Sequence, residues 1–200
     1  MNPAEKPPCP AEEKKLAVIL PGIGYTCDKP LLYYSAKLAQ SLGWEACPVP
    51  YGGFPSKVRG DAEKLRQSAE MALAQTEEML RDVVFSRYES ILFISKSVGT
   101  VAAAAYAHRH SLPCRHILFT PVTDTFAVPI PAAIAFHGTA DPWADTAAIT
   151  RLCEAARIPL YITENANHSL ETGEVLQDIR NLAGVMAQVE KYMRLEPGQE

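Results

Sequence analysis

The sequence has no long apolar run. No stretch approaches the ~18 consecutive apolar residues that a membrane-spanning helix needs, and the opening M-N-P-A-E-K-P-P-C-P-A-E-E-K-K is polar and proline-rich, without an apolar h-region. Neither export nor membrane insertion is therefore expected. Paired cysteines are also missing: Cys9, Cys27, Cys47, Cys114 and Cys153 are odd in number, widely spaced and free of C-x-x-C. This argues against a disulfide framework and predicts reduced thiols in a cytoplasmic protein. Nor is there an excess of positive charge. The formal net charge is −4 with both signs interspersed, which leaves no basic stripe for nucleic acid and no polybasic segment for a membrane surface. A neutral or modestly polar small molecule remains as the expected partner, and a homodimer stays open as the assembly state.

What is present is an ordinary globular composition. A chain of 200 residues with 48% hydrophobic and 21% charged residues suits one core, read here as a single domain over 1–200 with a polar tail over 1–14 and a short one at the last four residues. Short apolar runs at 16–20, 45–49, 91–95, 115–119, 132–136 and 160–163 alternate with helical patterns. That alternation predicts βαβ units and a mostly parallel sheet of about six strands between two helical layers, a three-layer α/β/α sandwich. Helices are expected over 28–42, from Asp61 onward with Leu65, Ala69, Ala72, Met79 and Val83 on one face, over 98–108, and over 145–156. A last one near the C-terminus carries Val175, Ile179, Leu182, Met186, Val189 and Met193 on one face. Residues 120–131, with Pro121, Pro129 and Pro131, lack helical periodicity and read as an irregular loop forming a pocket wall.

The densest chemical signal is I-L-F-I-S-K-S-V-G at 91–99, an apolar run ending in S-x-S-x-G and opening into T-V-A-A-A-A-Y-A. That is the layout of a nucleophile elbow, in which a buried strand turns sharply at a serine and a helix begins with its amides aimed at the reaction centre. H-G-T-A-D (137–141) and N-A-N-H (165–168) follow in the chain order Ser, Asp, His. A serine hydroxyl is a weak nucleophile near neutral pH, so it needs a histidine to take its proton and a carboxylate to orient that imidazole.

On these residues the chain resembles a small α/β-hydrolase, and its triad region is similar to compact esterases and dienelactone-hydrolase-like proteins that lack a cap domain. The resemblance spans roughly residues 16–195. It implies Ser97 as nucleophile, Asp141 as acid and His168 as base, with no metal and no cofactor. The backbone amide of Val98 is expected as one oxyanion donor. The second falls in P-G-I-G-Y-T (21–26), similar to the family's H-G-x-G turn with proline in place of histidine, where Ile23 is preferred and Gly24 is the alternative. Ser95 stands where G-x-S-x-G has glycine.

Competing assignments exist for most of these residues. Ser97 also suits a helix N-cap. Ser95 belongs to the strand and should point away. Asp124 and Asp145 rival Asp141, but Asp145 suits a helix cap; His137 rivals His168 but belongs to the H-G turn. G-I-G-Y-T-C opens like a dinucleotide-binding turn yet has Cys27 where the third glycine belongs. Cys27 itself reads as a small buried hydrophobe. H-R-H-S-L-P-C-R-H (108–116) gathers zinc-type ligands, but His108 and His110 are not on one helix face. Among the aromatic residues near the site, Tyr25 and Trp143 are the candidates for substrate contact, and Tyr33, Tyr34, Tyr51 and Phe54 read as packing. With no cap the site should be shallow and open to water, favouring hydrolysis of a small carboxylic ester or thioester. Acyl transfer on the same triad and a non-catalytic binding protein are the alternatives.

Overall fold

The computed structural model describes residues 14–195; Cys9, nearly all of the expected N-terminal tail and the last four residues lie outside them. Six strands form one sheet: β1 (Lys15–Leu20), β2 (Trp44–Pro48), β3 (Ser90–Lys96), β4 (Arg115–Phe119), β5 (Ala133–Gly138) and β6 (Leu160–Thr163). Their order is β2-β1-β3-β4-β5-β6 and every pairing is parallel. The four inner strands are almost wholly buried because helices cover both faces, whereas the edge strands β2 and β6 are partly exposed.

The helices are α1 (Pro30–Ser41), α2 (Ala62–Leu80), α3 (Val98–Arg109), α4 (Thr146–Ala156) and α5 (Val175–Met193). Alternation along the strands sorts the core into two layers. Ala17, Ile19, Ile94 and Phe119 face α1 and α5, while Leu16, Val18 and Phe93 face α2 and α3, and Leu118 and Ala135 face α4. Local chemistry sets the helix starts. Asp61 accepts the Lys64 amide at 3.0 Å and Asp145 accepts the Ala148 amide at 2.9 Å, each satisfying an orphan donor. Pro30 occupies the first turn of α1, where its missing N–H is no loss.

Topology decides where a site can form. The chain goes from β1 to its neighbour β2 and then crosses back past β1 to β3. Right-handed crossovers put α1 and α2 on opposite faces, so a crevice opens between the carboxyl ends of β1 and β3.

Two expectations are corrected. Residues 126–131 do line a cleft, of about 450 Å³ with Leu152, Ala155 and Ala156 of α4, but it is not the crevice between β1 and β3. In a parallel sheet the chain must travel from the carboxyl end of β4 to the start of β5, so the segment crosses the sheet, forming a 3-10 turn over Thr123–Ala127. Phe126, Val128 and Ile130 pack there with the α4 side of the core. The apolar faces also outrun the core: Met79 is exposed, and so are Val175 and Ile179, on the first turns of α5, which leave an apolar groove against Leu31 and Leu170. No helix among the described residues is long and apolar enough to cross a membrane.

Candidate active site

Ser97 stands between the last residue of β3 and the first of α3, with φ 53° and ψ −124°. A non-glycine residue at positive φ is strained, typically by about 1–3 kcal/mol, and needs surroundings that fix it. Here the Ser97 amide donates to the Phe119 carbonyl at 3.0 Å, and its carbonyl accepts the Thr100 amide at 2.8 Å and the Thr100 hydroxyl at 2.6 Å. Ser95 remains in the strand, fully buried, with its hydroxyl donating to the Ile117 carbonyl at 3.3 Å.

The two partners come from loops after β5 and β6. His168 Nε2 lies 2.7 Å from Ser97 Oγ, and His168 Nδ1 lies 2.7 Å from Asp141 Oδ2. With Asp141 ionised, Nδ1 carries the proton and donates to the carboxylate, which leaves Nε2 to accept from the serine hydroxyl. The carboxylate is itself held, since Oδ1 accepts the Trp143 amide at 2.8 Å. The histidine loop folds on Asn167, whose Oδ1 accepts the amides of Ser169 at 2.7 Å and Glu171 at 3.3 Å. It is docked by the Ala140 amide, which donates to the Ala166 carbonyl at 2.9 Å.

Burial, hydrogen bonds and neighbouring charges together set the protonation states. Burial pushes the Asp141 carboxyl up, but the hydrogen bond from His168, the charge that imidazole takes on, and the Trp143 amide outweigh it and hold the group below its ordinary value. Burial lowers His168 to about 4, helped by the Lys96 charge and opposed by Asp141. The imidazole is therefore neutral, as a base must be, across the physiological range.

Beside the serine, Gly22 and Tyr25 exchange backbone hydrogen bonds at 3.0 and 3.3 Å, closing a tight turn with Ile23 and Gly24 at its tip. A Cβ on Gly22 would lie 3.1 Å from Ser97 Cβ, so this turn abuts the elbow. The amides of Ile23 and Val98 donate to no protein acceptor among the described residues. Tyr51 Oη donates to the Pro21 carbonyl at 2.6 Å and supports the turn. Next to it lies a cleft of about 600 Å³ lined by Pro21, Gly22, Ile23, Pro48, Tyr51, Phe54 and neighbours.

Of the remaining sequence candidates, Trp143 stacks on the His168 ring at 5.2 Å between centroids. Tyr25 does not rim the site: it is buried, and its hydroxyl accepts the Leu31 amide at 3.0 Å at the start of α1. Asp145 caps α4, Asp124 is exposed on the crossing segment, and His137 Nε2 lies 3.0 Å from Thr146 Oγ1. Burial, with the Asp28 charge, raises the Cys27 thiol to about 11, keeping it protonated. The H-R-H-S-L-P-C-R-H residues diverge: His110 meets Glu77 at 2.7 Å on the surface, while His116 is buried and stacked on Phe93. No cluster among the described residues has the three such side chains that a metal ion needs.

Sequence reasoning missed Lys96 and undervalued Tyr51 and Phe54. For Lys96 the signal was available: a lysine interrupts an otherwise apolar strand one residue before the serine.

No family model matches the chain, and no curated protein matches it by sequence. Solved structures do match in shape. An alpha-beta serine hydrolase homologue from Coxiella burnetii is 17% identical, with 88% of this chain and 87% of that one covered and a TM-score of 0.61. The Pyrococcus furiosus esterase Pf2001 is 12% identical, with 92% and 83% covered and a TM-score of 0.62. Est1E from Butyrivibrio proteoclasticus is 10% identical, with 90% and 90% covered and a TM-score of 0.58. Identities this low speak for architecture alone, and with the six-stranded parallel sheet between two helical layers they establish that this chain has the α/β-hydrolase fold.

Proposed function

We propose that this protein is a serine hydrolase that cleaves a small carboxylic ester or thioester through an acyl-enzyme. The observation that carries the reading is the continuous chain Ser97 Oγ, His168, Asp141, with both links at 2.7 Å, at a strained elbow in the crevice where the topology reverses. Ser97 Oγ attacks the acyl carbon while His168 Nε2 takes its proton. The amides of Val98 and Ile23 then receive the developing oxyanion, Val98 at the positive end of α3. His168 returns the proton to the departing alkoxide or thiolate, leaving the acyl group on Ser97. Water, deprotonated by the same imidazole, attacks that ester, and Ser97 departs with the proton restored. Asp141 keeps the imidazole in the required tautomer throughout.

The cleft beside the turn suits a modest apolar acyl or alcohol group, since Ile23, Tyr51, Phe54 and prolines form much of its wall. Trp143 stacks on the His168 ring, a second aromatic surface next to the base.

Replacing each serine separately tests the assignment. On a short-chain activated ester, Ser97→Ala should lose on the order of 10⁴-fold or more in kcat, whereas Ser95→Ala, which gives up one buried hydrogen bond, should keep appreciable turnover. Small and equal effects of the two substitutions would remove both serines from the reaction.

A further inference from the structure

Lys96 is a lysine buried in the core. It ends β3, an otherwise apolar strand, and only 1% of it is exposed, although a buried ammonium is costly unless its donors are satisfied. They are. Nζ donates to the His168 main-chain carbonyl at 2.6 Å and to Thr120 Oγ1 at 2.6 Å, and it lies 4.8 Å from the Tyr25 ring centre on that ring's face. Thr120 closes the triangle by donating to the same His168 carbonyl at 3.1 Å, from a backbone held at φ 43°. A β-branched residue at positive φ is itself an outlier.

We propose that Lys96 is a positioning residue for the base, tying the His168 carbonyl to the ends of β3 and β4 so that the imidazole stays aligned with Ser97. The proposal rests on the serine-hydrolase reading. The loop has two independent moorings: the Ala140 amide holds Ala166, and Lys96 with Thr120 holds His168 itself. Between them the imidazole has little room to swing. Packing alone would be served by methionine, which would leave both the His168 carbonyl and Thr120 Oγ1 without this donor.

The charge also acts on the base. The groups around Lys96 are Asp141 from the β5 side, His168 and Glu171 from the loop after β6, and Tyr25 from the turn after β1, while His137 acts on His168. Burial brings Lys96 down to about 7 against the charges of Asp141 and Glu171, and its positive charge disfavours a second one on His168.

The test follows the rate at which a neutral fluorophosphonate modifies Ser97, from pH 4 to 9, in wild type, Lys96→Met and Thr120→Val, with thermal unfolding alongside. Lys96→Met should slow labelling by about 10²-fold at neutral pH, the scale of a misplaced catalytic group, and should move the acid limb upward because the cation facing His168 is gone. Thr120→Val should slow labelling in the same direction by less. A folded Lys96→Met protein with the wild-type rate and profile would overturn the proposal, as would a uniformly lowered profile with an unmoved limb. If Lys96→Met does not fold, Thr120→Val decides, and labelling within twofold of wild type overturns it. Failure of the wild type itself to label would remove the underlying hydrolase reading.

Discussion

At Ser97 two properties meet that few serines share, a positive φ and a histidine at 2.7 Å. The strain lifts the hydroxyl out of the strand direction, and the histidine meets it there. Asp141→Asn should therefore cost about 10⁴-fold in kcat, because an amide opposite Nδ1 stabilises the wrong imidazole tautomer. The same reaction should keep its full kcat/KM from pH 8 down to about 5, since the base must be neutral and burial lowers His168 to about 4. A half-maximal point near the ordinary histidine value, in a pH-rate profile on the wild type, would contradict that environment. Residue types and chain order made the contact of Ser97, His168 and Asp141 legible, because each of the three follows an apolar run. Lys96 was harder to read, since its placement depends on a loop from the other end of the chain, and Tyr25 turns inward to accept the Leu31 amide, which composition does not reveal. Nothing local to Ser95–Lys96–Ser97 says that a carbonyl beyond β6 will sit over the lysine.

Elements were legible where burial is uniform and blurred where the chain leaves the core. The run at 115–119 matches Arg115–Phe119, but β5 extends to Gly138, past the expected end at 136, because the H-G pair continues the ladder with His137 beside Ile162. The apolar stripe of α5 fooled periodicity differently: its spacing is helical throughout, yet only the later turns have a sheet beneath them. The crossing segment after β4 was correctly irregular but misplaced, since loop composition carries no direction of travel. Where α3 meets β1, Gly99 is required by close approach. A Cβ there would collide with the Pro21 carbonyl and lie 2.7 Å from both the Leu20 carbonyl oxygen and Tyr51 Oη. Two of those atoms are backbone, so the helix must move. Gly99→Ala should lower stability by about 1–3 kcal/mol and slow Ser97 labelling together, through displacement of the turn that carries Ile23. Urea unfolding and labelling rate check this, and an unchanged urea midpoint would show that α3 has more slack than the contact distances imply.

On the scale of the whole molecule, the parallel sheet with its reversal between β1 and β3 puts the elbow, the Gly22–Tyr25 turn and the aromatic cleft at one end, while the loops after β5 and β6 bring Asp141 and His168 to Ser97. The core also carries a pH liability. His116, stacked on Phe93, is lowered by burial to about 4, so between 6.5 and 4 the unfolded chain takes up a proton that the folded state refuses. Stability present above 6.5 is thus lost as pH falls through that window, about 2 kcal/mol at pH 5 from this one residue. His168 adds a similar loss, and Lys96 acts in the same sense between 10.5 and about 7. Urea unfolding at pH 7 and pH 5 should show the decline, and His116→Leu should remove roughly half of it; an equal decline in the variant would place the acid sensitivity elsewhere. The central claim, an activated serine at the elbow, is tested most directly by treating the folded protein with a fluorophosphonate and locating the adduct by peptide mass spectrometry. A single adduct on Ser97, absent after Ser97→Ala, is the predicted result. No adduct on folded protein, or one on another residue, would contradict the account.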